Sequence, residues 1–352
     1  MNKNKAITIG AFTVEPGCRE TAQFPLPELY THAPTTMPVE IINGKQAGPV
    51  LLITSCIHGD EINGIEIIRR LLTHKTLNTL KGTLILIPVV NVFGFVAQSR
   101  YLPDRRDLNR SFPGSAKGSM AGRLANLITA EILPHCSHVI DLHTGAIDRE
   151  NLPQIRASLN TENTELQDLA LSFQAPVVLD AVLREGTFRK CAHEMGTPTL
   201  VYEAGEALRF DEVSIRAGVT GVLNVLSHLG MIRKRTQGRS HSPVVAKGSS
   251  WVRASQSGVL RSLVALGARV KSGETLAYVS DPIGHDEEAI ISPAAGIVIG
   301  RARLPLVHEG EAVFHIARFS QTGNAAEQVE SFQDEFDPVN GTSDSDEPPL
   351  VG

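Results

Sequence analysis

Three residues with metal-binding side chains lie directly after or at the end of apolar runs: His58, Glu61 and His143. His58 and Glu61 form an H-x-x-E pair, whose imidazole nitrogen and carboxylate oxygen can each reach one zinc ion at roughly 2.0–2.2 Å. Such a pair is common by chance, and the alternative is a helix N-terminus whose acidic residues complement the helix dipole. His143 completes a His2Glu set, which leaves one coordination position open, as a catalytic zinc site requires. The set indicates a hydrolytic metal site.

Two carboxylates occur at positions that suit supporting roles. Asp141 lies two residues before His143 on the same face of a predicted strand, where it can orient the imidazole as an outer partner of the metal ligand. Glu203 closes an apolar strand in VYEAG (201–205) and is either a surface residue or a general base for hydrolysis.

A proline-bounded loop, SRYLPDRRDLNRSFPG (99–114), concentrates basic residues. It is either a solvated charged loop or a fixed one, because Pro103 and Pro113 restrict its backbone. A fixed loop can present an amide and guanidinium groups to a planar anion, and arginine pairs with a carboxylate in a bidentate way that lysine does not. The loop therefore indicates a carboxylate site.

The order of these motifs resembles the succinylglutamate desuccinylase/aspartoacylase family, which belongs to the zinc carboxypeptidase clan. H-x-x-E (58–61), D-L-N-R (107–110), D-x-H (141–143) and a late E-x-G (203–205) follow one another in the family's order. Each motif alone is weak, whereas four in order with consistent strand placement are specific. The resemblance covers roughly residues 40–320, and PDRRDLNRSFPG looks closest to the bacterial N-acyl amino acid deacylases.

The resemblance implies a role for each residue of the metal motifs. His58, Glu61 and His143 would ligate one Zn²⁺ per chain. Glu203 would take a proton from the attacking water and deliver it to the leaving amine.

The resemblance also implies roles for residues of the basic loop. Asn109 and Arg110 would hold the substrate carboxylate, and a further arginine would polarise the scissile carbonyl. Arg106 and Arg100 are both candidates for that arginine, because the spacing to Asn109 departs from the aspartoacylase pattern. Arg106 is preferred for catalysis, and Arg100 is assigned to substrate binding.

The function predicted from these residues is a zinc-dependent amidohydrolase that removes an acyl group from an N-acyl amino acid or a related small carboxylate. One alternative is a zinc carboxypeptidase acting on short peptides, which would use the same chemistry. Another is a metal-binding scaffold without turnover, which would need neither Glu203 nor Arg110.

The predicted fold is α/β, with a zinc-carboxypeptidase-like mixed sheet flanked by helices over residues 38–235. Apolar runs at 49–57, 83–91, 138–145 and 197–206 alternate with segments of helix length, which is typical of a mainly parallel sheet covered on both faces. In such sheets ligands bind beyond the carboxyl ends of the strands, where His58, His143 and Glu203 occur.

The rest of the chain is divided by composition. Residues 1–37 are an N-terminal extension, the polar stretch 236–249 is a linker, and the acidic stretch 321–352 is a disordered tail. Residues 250–320 form a β-rich domain, because 257–279 and 295–316 repeat one pattern that resembles barrel-sandwich carrier domains. The hairpin at 280–289 contains no lysine to carry a swinging arm, so a structural or access-limiting role is predicted.

Charge and composition exclude several classes of partner. The 352-residue chain has a net charge of −5, which argues against nucleic acid as the main partner. No apolar run approaches the 18 or so residues that would span a membrane, and four widely spaced cysteines suggest reduced thiols. We expect a cytoplasmic enzyme for a small-molecule N-acyl amino acid, with a homo-oligomer left open.

Overall fold

A computed structural model describes residues 2–159, 164–234 and 241–336. The strands of the described chain are β1 (Ile7–Ile9), β2 (Phe12–Val14), β3 (Arg19–Pro25), β4 (Thr36–Asn43), β5 (Gln46–Ser55), β6 (Lys81–Ile87), β7 (His138–His143), β8 (Arg149–Ala157), β9 (Val177–Asp180), β10 (Thr199–Gly205), β11 (Val244–Ala246), β12 (Gly248–Arg253), β13 (Gly258–Ser262), β14 (Arg269–Val270), β15 (Thr275–Ser280), β16 (Glu287–Ile291), β17 (Gly296–Ala302), β18 (Leu306–Val307) and β19 (Ala312–Arg318).

The helices are α1 (Asn63–Thr73), α2 (Val92–Val96), α3 (Met120–Leu127), α4 (Thr164–Phe173), α5 (Phe188–Glu194), α6 (Glu212–His228) and α7 (Thr322–Phe336). A π-helical turn (Ile128–Ile132) continues α3, and short 3-10 turns occur at Lys75–Thr79, Leu108–Arg110 and Leu133–His135.

One large mixed sheet extends through most of the described chain, in the order β12-β19-β17-β8-β10-β7-β5-β6-β4-β3. Its central strands β10, β7, β5 and β6 run parallel to one another. On either side of them the pairing is antiparallel, between β10 and β8 and between β6 and β4. The central strands correspond to the four apolar runs of the sequence. The prediction of a mixed α/β fold is therefore confirmed.

Hydrophobic clusters cover both faces of this sheet because its central strands are apolar on both sides. Leu51 and Ile53 belong to one cluster, while Leu52 between them belongs to the other. Successive strand side chains point to opposite faces. Residues of α1, α4 and α6 pack in the first cluster, and residues of α3, α5 and β1–β4 pack in the second. Two packed layers hold the strand ends, and thus the site, in fixed positions.

The C-terminal repeat is present as two three-strand units, β13–β15 and β17–β19. The units exchange strands, because β13 pairs with β18 and β14 pairs with β17. The predicted antiparallel β structure is confirmed as a four-stranded sheet, β16-β15-β13-β18, that packs over the strands joined to the large sheet. β17 also pairs with β8, which belongs to the predicted domain over residues 38–235. The large sheet therefore crosses the predicted domain boundary.

The predicted linker at 236–249 is wrong from residue 244 onward, and its first residues, up to 240, lie outside the described chain. Val244–Ala246 form β11, which pairs parallel with β9, and Gly248 begins β12. The sequence VVA supplies β-branched residues that fit a sheet edge, which the polar composition around them hides.

The predicted disordered tail is wrong for residues 322–336, which form α7; residues 337–352 lie outside the described chain. Ala325, Val329, Phe332 and Phe336 are buried at spacings of four, three and four residues, so they form one apolar stripe along the helix. This stripe packs against residues of α6 and β17. The acidic residues lie between these apolar positions, so average composition conceals the amphipathic helix.

The predicted N-terminal extension also joins the fold. β1 and β2 pair with each other, β3 pairs with β4 at the edge of the large sheet, and Ile9, Val14 and Phe24 are buried in the core. Within the described residues, the helices are all too short or too polar to cross a membrane.

Candidate active site

The site lies at the carboxyl ends of β5, β7 and β10. These strands are neighbours, so the turn after Ser55, the last residue of β7 (His143) and Glu203 near the end of β10 meet at one edge. The chain turns sharply after β5, where Cys56 has a φ of 52° and its Sγ lies 3.0 Å from the carbonyl oxygen of Glu61. This turn brings His58 and Glu61 to the strand end.

Glycine is required inside that turn. A Cβ at Gly59 would lie 2.0 Å from the carbonyl carbon of Gly94, so no side chain fits between the two backbones. The H-x-x-E motif is thus held against α2 by close backbone contact, which fixes the direction of both ligand side chains.

The three candidate metal ligands converge in one buried cluster. His58 Nδ1 lies 2.7 Å from Glu61 Oε1, and His143 Nδ1 lies 2.7 Å from Glu61 Oε2. The two imidazole centroids are 5.1 Å apart. One ligand atom from each residue lies within 4.8 Å of the others, so the three side chains can hold a single ion. The structure thus brings together the residues of the predicted triad.

Each imidazole has a second carboxylate on its other nitrogen. His143 Nε2 lies 2.7 Å from Asp141 Oδ2, and the other oxygen of Asp141 accepts a hydrogen bond of 2.7 Å from the hydroxyl of Thr54. His58 Nε2 lies 3.2 Å from Asp107 Oδ1. An outer carboxylate of this kind fixes the tautomer and orientation of a ligating imidazole. The contact of Asp141 with His143 was predicted from the sequence, whereas the contact of Asp107 with His58 was not.

The charges of the cluster also fit a divalent cation. Glu61, Asp107 and Asp141 contribute three negative charges, and the Arg100 guanidinium, 3.4 Å from Glu61, contributes one positive charge. With neutral imidazoles the net charge is −2, which one divalent ion neutralises. The donor set of two imidazole nitrogens and one carboxylate is that of a catalytic zinc site.

The same charges control protonation of the cluster. Burial lowers the pKa of His143, but Asp141 and Glu61 outweigh burial and raise it well above its usual value. The pKa of His58 is raised for the same reason by Glu61 and Asp107. Burial raises the pKa of Glu61, but the two imidazoles lower it by more than burial raises it. The pKa therefore lies below its usual value, and the carboxylate stays ionised.

The basic loop is fixed by hydrogen bonds rather than solvated. Asp107 Oδ1 accepts a 2.8 Å bond from the backbone N–H of Asn109, and Asn109 Oδ1 accepts a 2.9 Å bond from the N–H of Phe188. Asn109 and Arg110 both line a cavity of about 750 Å³ that opens onto the triad. The loop is therefore anchored to the start of α5 and presents an amide and a guanidinium to the cavity.

The two arginine candidates have different positions. Arg100 lines the cavity, and its Nη2 lies 2.9 Å from Asp107 Oδ2. The Arg106 side chain is 64% exposed, contacts Asp104 at 4.0 Å and does not line the cavity. The preference for Arg106 as the catalytic arginine is therefore wrong. Arg105 has a φ of 62° in the turn over residues 102–106, and the Arg106 side chain leaves that turn towards solvent.

Glu203 lies beside the triad on the neighbouring strand. Its position on β10 is directly opposite His143 on β7. One carboxylate oxygen accepts a 3.0 Å hydrogen bond from Asn151 Nδ2, and the other lies 3.2 Å from Arg156 Nη1. The side chain is 15% exposed and lines the cavity, so it is oriented towards that space rather than towards the bulk surface.

Several cavity residues carry no recognisable sequence motif. They come from β8, from the segment around α5, and from β12 and β19 of the C-terminal domain: Arg149, Arg156, Arg184, Arg189, Trp251, His315 and Arg318. Strand pairing across the domain boundary brings them together. The repeat in the C-terminal sequence indicated strands but did not show which strand would face the site.

Comparison with known proteins agrees with this geometry. The family model described as the succinylglutamate desuccinylase/aspartoacylase catalytic domain matches residues 47–229. A curated relative, the N-alpha-acetyl-L-2,4-diaminobutyric acid deacetylase of Halomonas elongata, is 29% identical over 255 residues, which are 70% of this chain and 74% of that protein.

Solved structures resemble the whole described fold. The product-bound ectoine utilization protein EutE (DoeB) from Ruegeria pomeroyi is 25% identical, with a TM-score of 0.81 over 90% of this chain and 100% of that one. A succinylglutamate desuccinylase/aspartoacylase from Rhodobacter sphaeroides is also 25% identical, with a TM-score of 0.77 over 86% of this chain and 95% of that one.

Proposed function

Because the chain belongs to the succinylglutamate desuccinylase/aspartoacylase family, we propose that it is a zinc-dependent amidohydrolase that removes the acyl group of an N-acyl amino acid. The observation that carries this proposal is the buried triad, in which both Nδ1 atoms face Glu61 and both Nε2 atoms face an outer carboxylate. The deacetylase and desuccinylase names of its relatives support the same class of reaction.

His58, Glu61 and His143 would hold one zinc ion. When bound, zinc supplies Lewis-acid chemistry, because it polarises a carbonyl oxygen and lowers the pKa of water towards about 7. Asp107 and Asp141 keep the imidazoles in the orientation that this requires, because each accepts the hydrogen of an Nε2 atom.

Glu203 is the proton carrier of the proposed reaction. Asn151 and Arg156 hold its carboxylate at the cavity wall, on the strand next to His143. Glu203 takes a proton from the attacking water as the new C–O bond forms. It returns that proton to the nitrogen as the C–N bond breaks, so that the amine leaves neutral.

Arginines and one amide position the substrate. The Oδ1 of Asn109 is used by the N–H of Phe188, which leaves its Nδ2 to donate to the substrate carboxylate together with the Arg110 guanidinium. Arg100 lies beside Glu61 and donates to the oxygen that becomes negative during attack.

A carboxypeptidase acting on short peptides is the less favoured alternative. Trp251, His315 and Arg318 of the C-terminal β domain line the same cavity as the triad, so that domain narrows the space available to a peptide chain. The relatives are named for acyl amino acids rather than peptides. A cytoplasmic location and a homo-oligomer stay predictions from the sequence.

The variant Glu203→Gln tests the proposal directly. We expect both wild type and variant to hold about one zinc per chain by elemental analysis. Release of free amine from a set of N-acyl amino acids should fall about 10²–10⁴-fold in the variant, because the general base is lost. Glu309→Gln, at an exposed position of the C-terminal domain, is the matched control and should keep full activity. Undiminished turnover by Glu203→Gln would remove the general-base assignment.

A further inference from the structure

A row of residues crosses the large sheet from the C-terminal domain to the proton carrier. Trp251 on β12 is opposite His315 on β19, His315 is opposite Gly300 on β17, and Gly300 is opposite Asn151 on β8. Asn151 in turn donates to Glu203. The register of four strands therefore connects the C-terminal domain to the reacting end of the cavity.

Gly300 allows the two side chains on either side of it to approach each other. A Cβ at this position would lie 2.9 Å from Asn151 Oδ1 and 3.3 Å from His315 Cβ. With hydrogen in place of a side chain, His315 sits close to the group that holds Glu203. The C-terminal wall of the cavity is thus adjacent to the catalytic half and not separated from it by a bulky residue.

His315 is one of three residues lining the cavity, with Arg156 and Arg189, that have a buried polar atom without a hydrogen-bond partner among the described residues. The residue is only 6% exposed, and its ring stacks on Trp251 with a centroid distance of 4.4 Å and an interplanar angle of 7°. Its Nδ1 is buried and makes no hydrogen bond with any described residue. The ring lines the cavity and no described residue uses its N–H, so a ligand oxygen in the cavity can accept that N–H at Nε2, the less buried ring nitrogen.

The surroundings of His315 are positively charged. Arg149 lies over the Trp251 ring at 5.5 Å, and Arg156 and Arg318 line the same cavity. Burial, reinforced by the charge of Arg156, lowers the pKa of His315 to about 3, so the imidazole is neutral and carries one N–H donor. A neutral donor among guanidinium groups favours an oxygen acceptor and disfavours an ammonium group.

We propose that His315 and Trp251 form a subsite that binds an oxygen acceptor, a carboxamide or carboxylate, at the end of the substrate remote from the scissile amide. The imidazole N–H donates to that oxygen, and Trp251 holds the imidazole in place by stacking on it. The inference rests on the proposed function and specifies its substrate class. The substrate named for the Halomonas relative bears a side-chain amine, so the subsite predicts a different preference for this chain.

The oxygen acceptor can belong to the amino acid side chain or to the acyl group, and two arms of one experiment separate these sources. The first arm compares kcat/KM for N-acetyl-L-glutamine, N-acetyl-L-norvaline and N-acetyl-L-2,4-diaminobutyrate. The second compares N-succinyl-L-norvaline with N-pentanoyl-L-norvaline. We expect the oxygen-bearing compound to have a kcat/KM about tenfold higher than its apolar partner in one of the two arms, and that arm identifies the source of the oxygen. Within the first arm, the diaminobutyrate compound should have the lowest kcat/KM.

Three variants assign the preference to the imidazole. His315→Phe keeps a ring against Trp251 but removes the donor, and should abolish the tenfold preference through KM. His315→Gln retains an N–H donor and should restore part of the preference. His285→Phe, at an exposed position in the β15–β16 hairpin, is the matched control. Retention of the full preference by His315→Phe overturns the subsite.

Binding can be measured separately from turnover in the Glu203→Gln background, and Trp251, the single tryptophan of the chain, reports it by fluorescence. Titration of N-acetyl-L-glutamine and N-succinyl-L-norvaline into Glu203→Gln with and without His315→Phe gives their Kd values. If all compounds resist hydrolysis, the proposed function fails, while an approximately tenfold weaker Kd in His315→Phe for one compound still supports the subsite. Equal Kd values in both proteins overturn the subsite, whether or not the compounds are hydrolysed.

Discussion

The cavity has two walls, and their residues come from different parts of the large sheet. The metal wall consists of His58, Glu61, His143 and Glu203, which all lie at or just beyond the ends of neighbouring strands β5, β7 and β10. The C-terminal wall, with Trp251 and His315, comes from β12 and β19, whose neighbours in the sheet are set by pairing across the domain boundary. Short sequence motifs determine the positions of the residues in the metal wall, whereas the register of paired strands determines the positions of those in the C-terminal wall.

This difference suggests that the metal wall determines the reaction and the C-terminal wall determines which substrate is bound. The three candidate ligands of the metal wall are buried and hydrogen-bonded to one another, and Glu203 is held by Asn151 and Arg156, so their geometry is set without a substrate. On the C-terminal wall, Trp251 is 38% exposed and His315 Nδ1 has no partner. We therefore expect changes in the metal wall to act on metal binding and kcat, and changes in the C-terminal wall to act on KM.

The largest effect should follow removal of a ligand from the metal wall. His143→Ala removes one of three ligands and leaves the buried Asp141 without its imidazole partner, so bound zinc should be lost and turnover should fall more than about 10³-fold. Elemental analysis and amine release measure the two effects. His308→Ala, at an exposed position of the C-terminal domain, provides the control. A fully active, zinc-free variant would contradict the assignment of the triad.

The next effect distinguishes two arginines of one loop. Arg100→Met removes a donor beside Glu61 and should lower kcat about 10²–10³-fold, as for loss of an oxyanion donor. Arg106→Met removes a side chain that is 64% exposed, and activity should change less than about twofold. Steady-state kinetics of both variants decide the matter. A larger loss in Arg106→Met than in Arg100→Met would reverse the assignment.

A smaller effect is expected from the outer carboxylates. Asp107→Asn and Asp141→Asn each keep the shape of the side chain but remove the charge that orients an imidazole, and zinc affinity should fall about 10–100-fold. Competition with a chelator measures the affinity. Asp141→Asn should have the larger effect, because its contact is 2.7 Å against 3.2 Å for Asp107. Unchanged affinity in both variants would mean that neither carboxylate supports the metal.

The smallest effect belongs to the C-terminal wall. Trp251→Leu removes an aromatic face but leaves the triad and Glu203 untouched, so KM should rise by about three- to tenfold with kcat and zinc content unchanged. If this variant lowered kcat as much as Arg100→Met does, the C-terminal wall would act on the reaction step as well, and the division of roles between the two walls would be wrong.

The sequence was sufficient for the metal wall because its signals are local. An apolar run followed by H-x-x-E, or ended by D-x-H, places ligands at a strand end without knowledge of distant segments. The contact of His58 with Asp107 could not be inferred in this way, because it joins residues 49 positions apart through the fold of a loop. The same holds for His315, whose neighbours depend on the pairing of β17 with β8.

Average composition was a misleading guide to structure at two places in the chain. The acidic residues of 322–336 alternate with the buried positions of α7, including Phe332, so the helical period was the informative feature and net charge was not. The polar residues around Val244 hid a short strand that pairs with β9. Both segments are stabilised by tertiary packing, which composition does not report.

The pairing of β17 with β8 has a consequence for modularity. A hydrogen-bonded ladder between Gly300 and Asn151, continued by Arg301 and Ala302, joins the repeat domain to the catalytic half. The repeat domain is therefore not a cassette that recombination could exchange freely between relatives. A chimaera would inherit a working selectivity wall only if its donor and recipient share the alignment of these two strands.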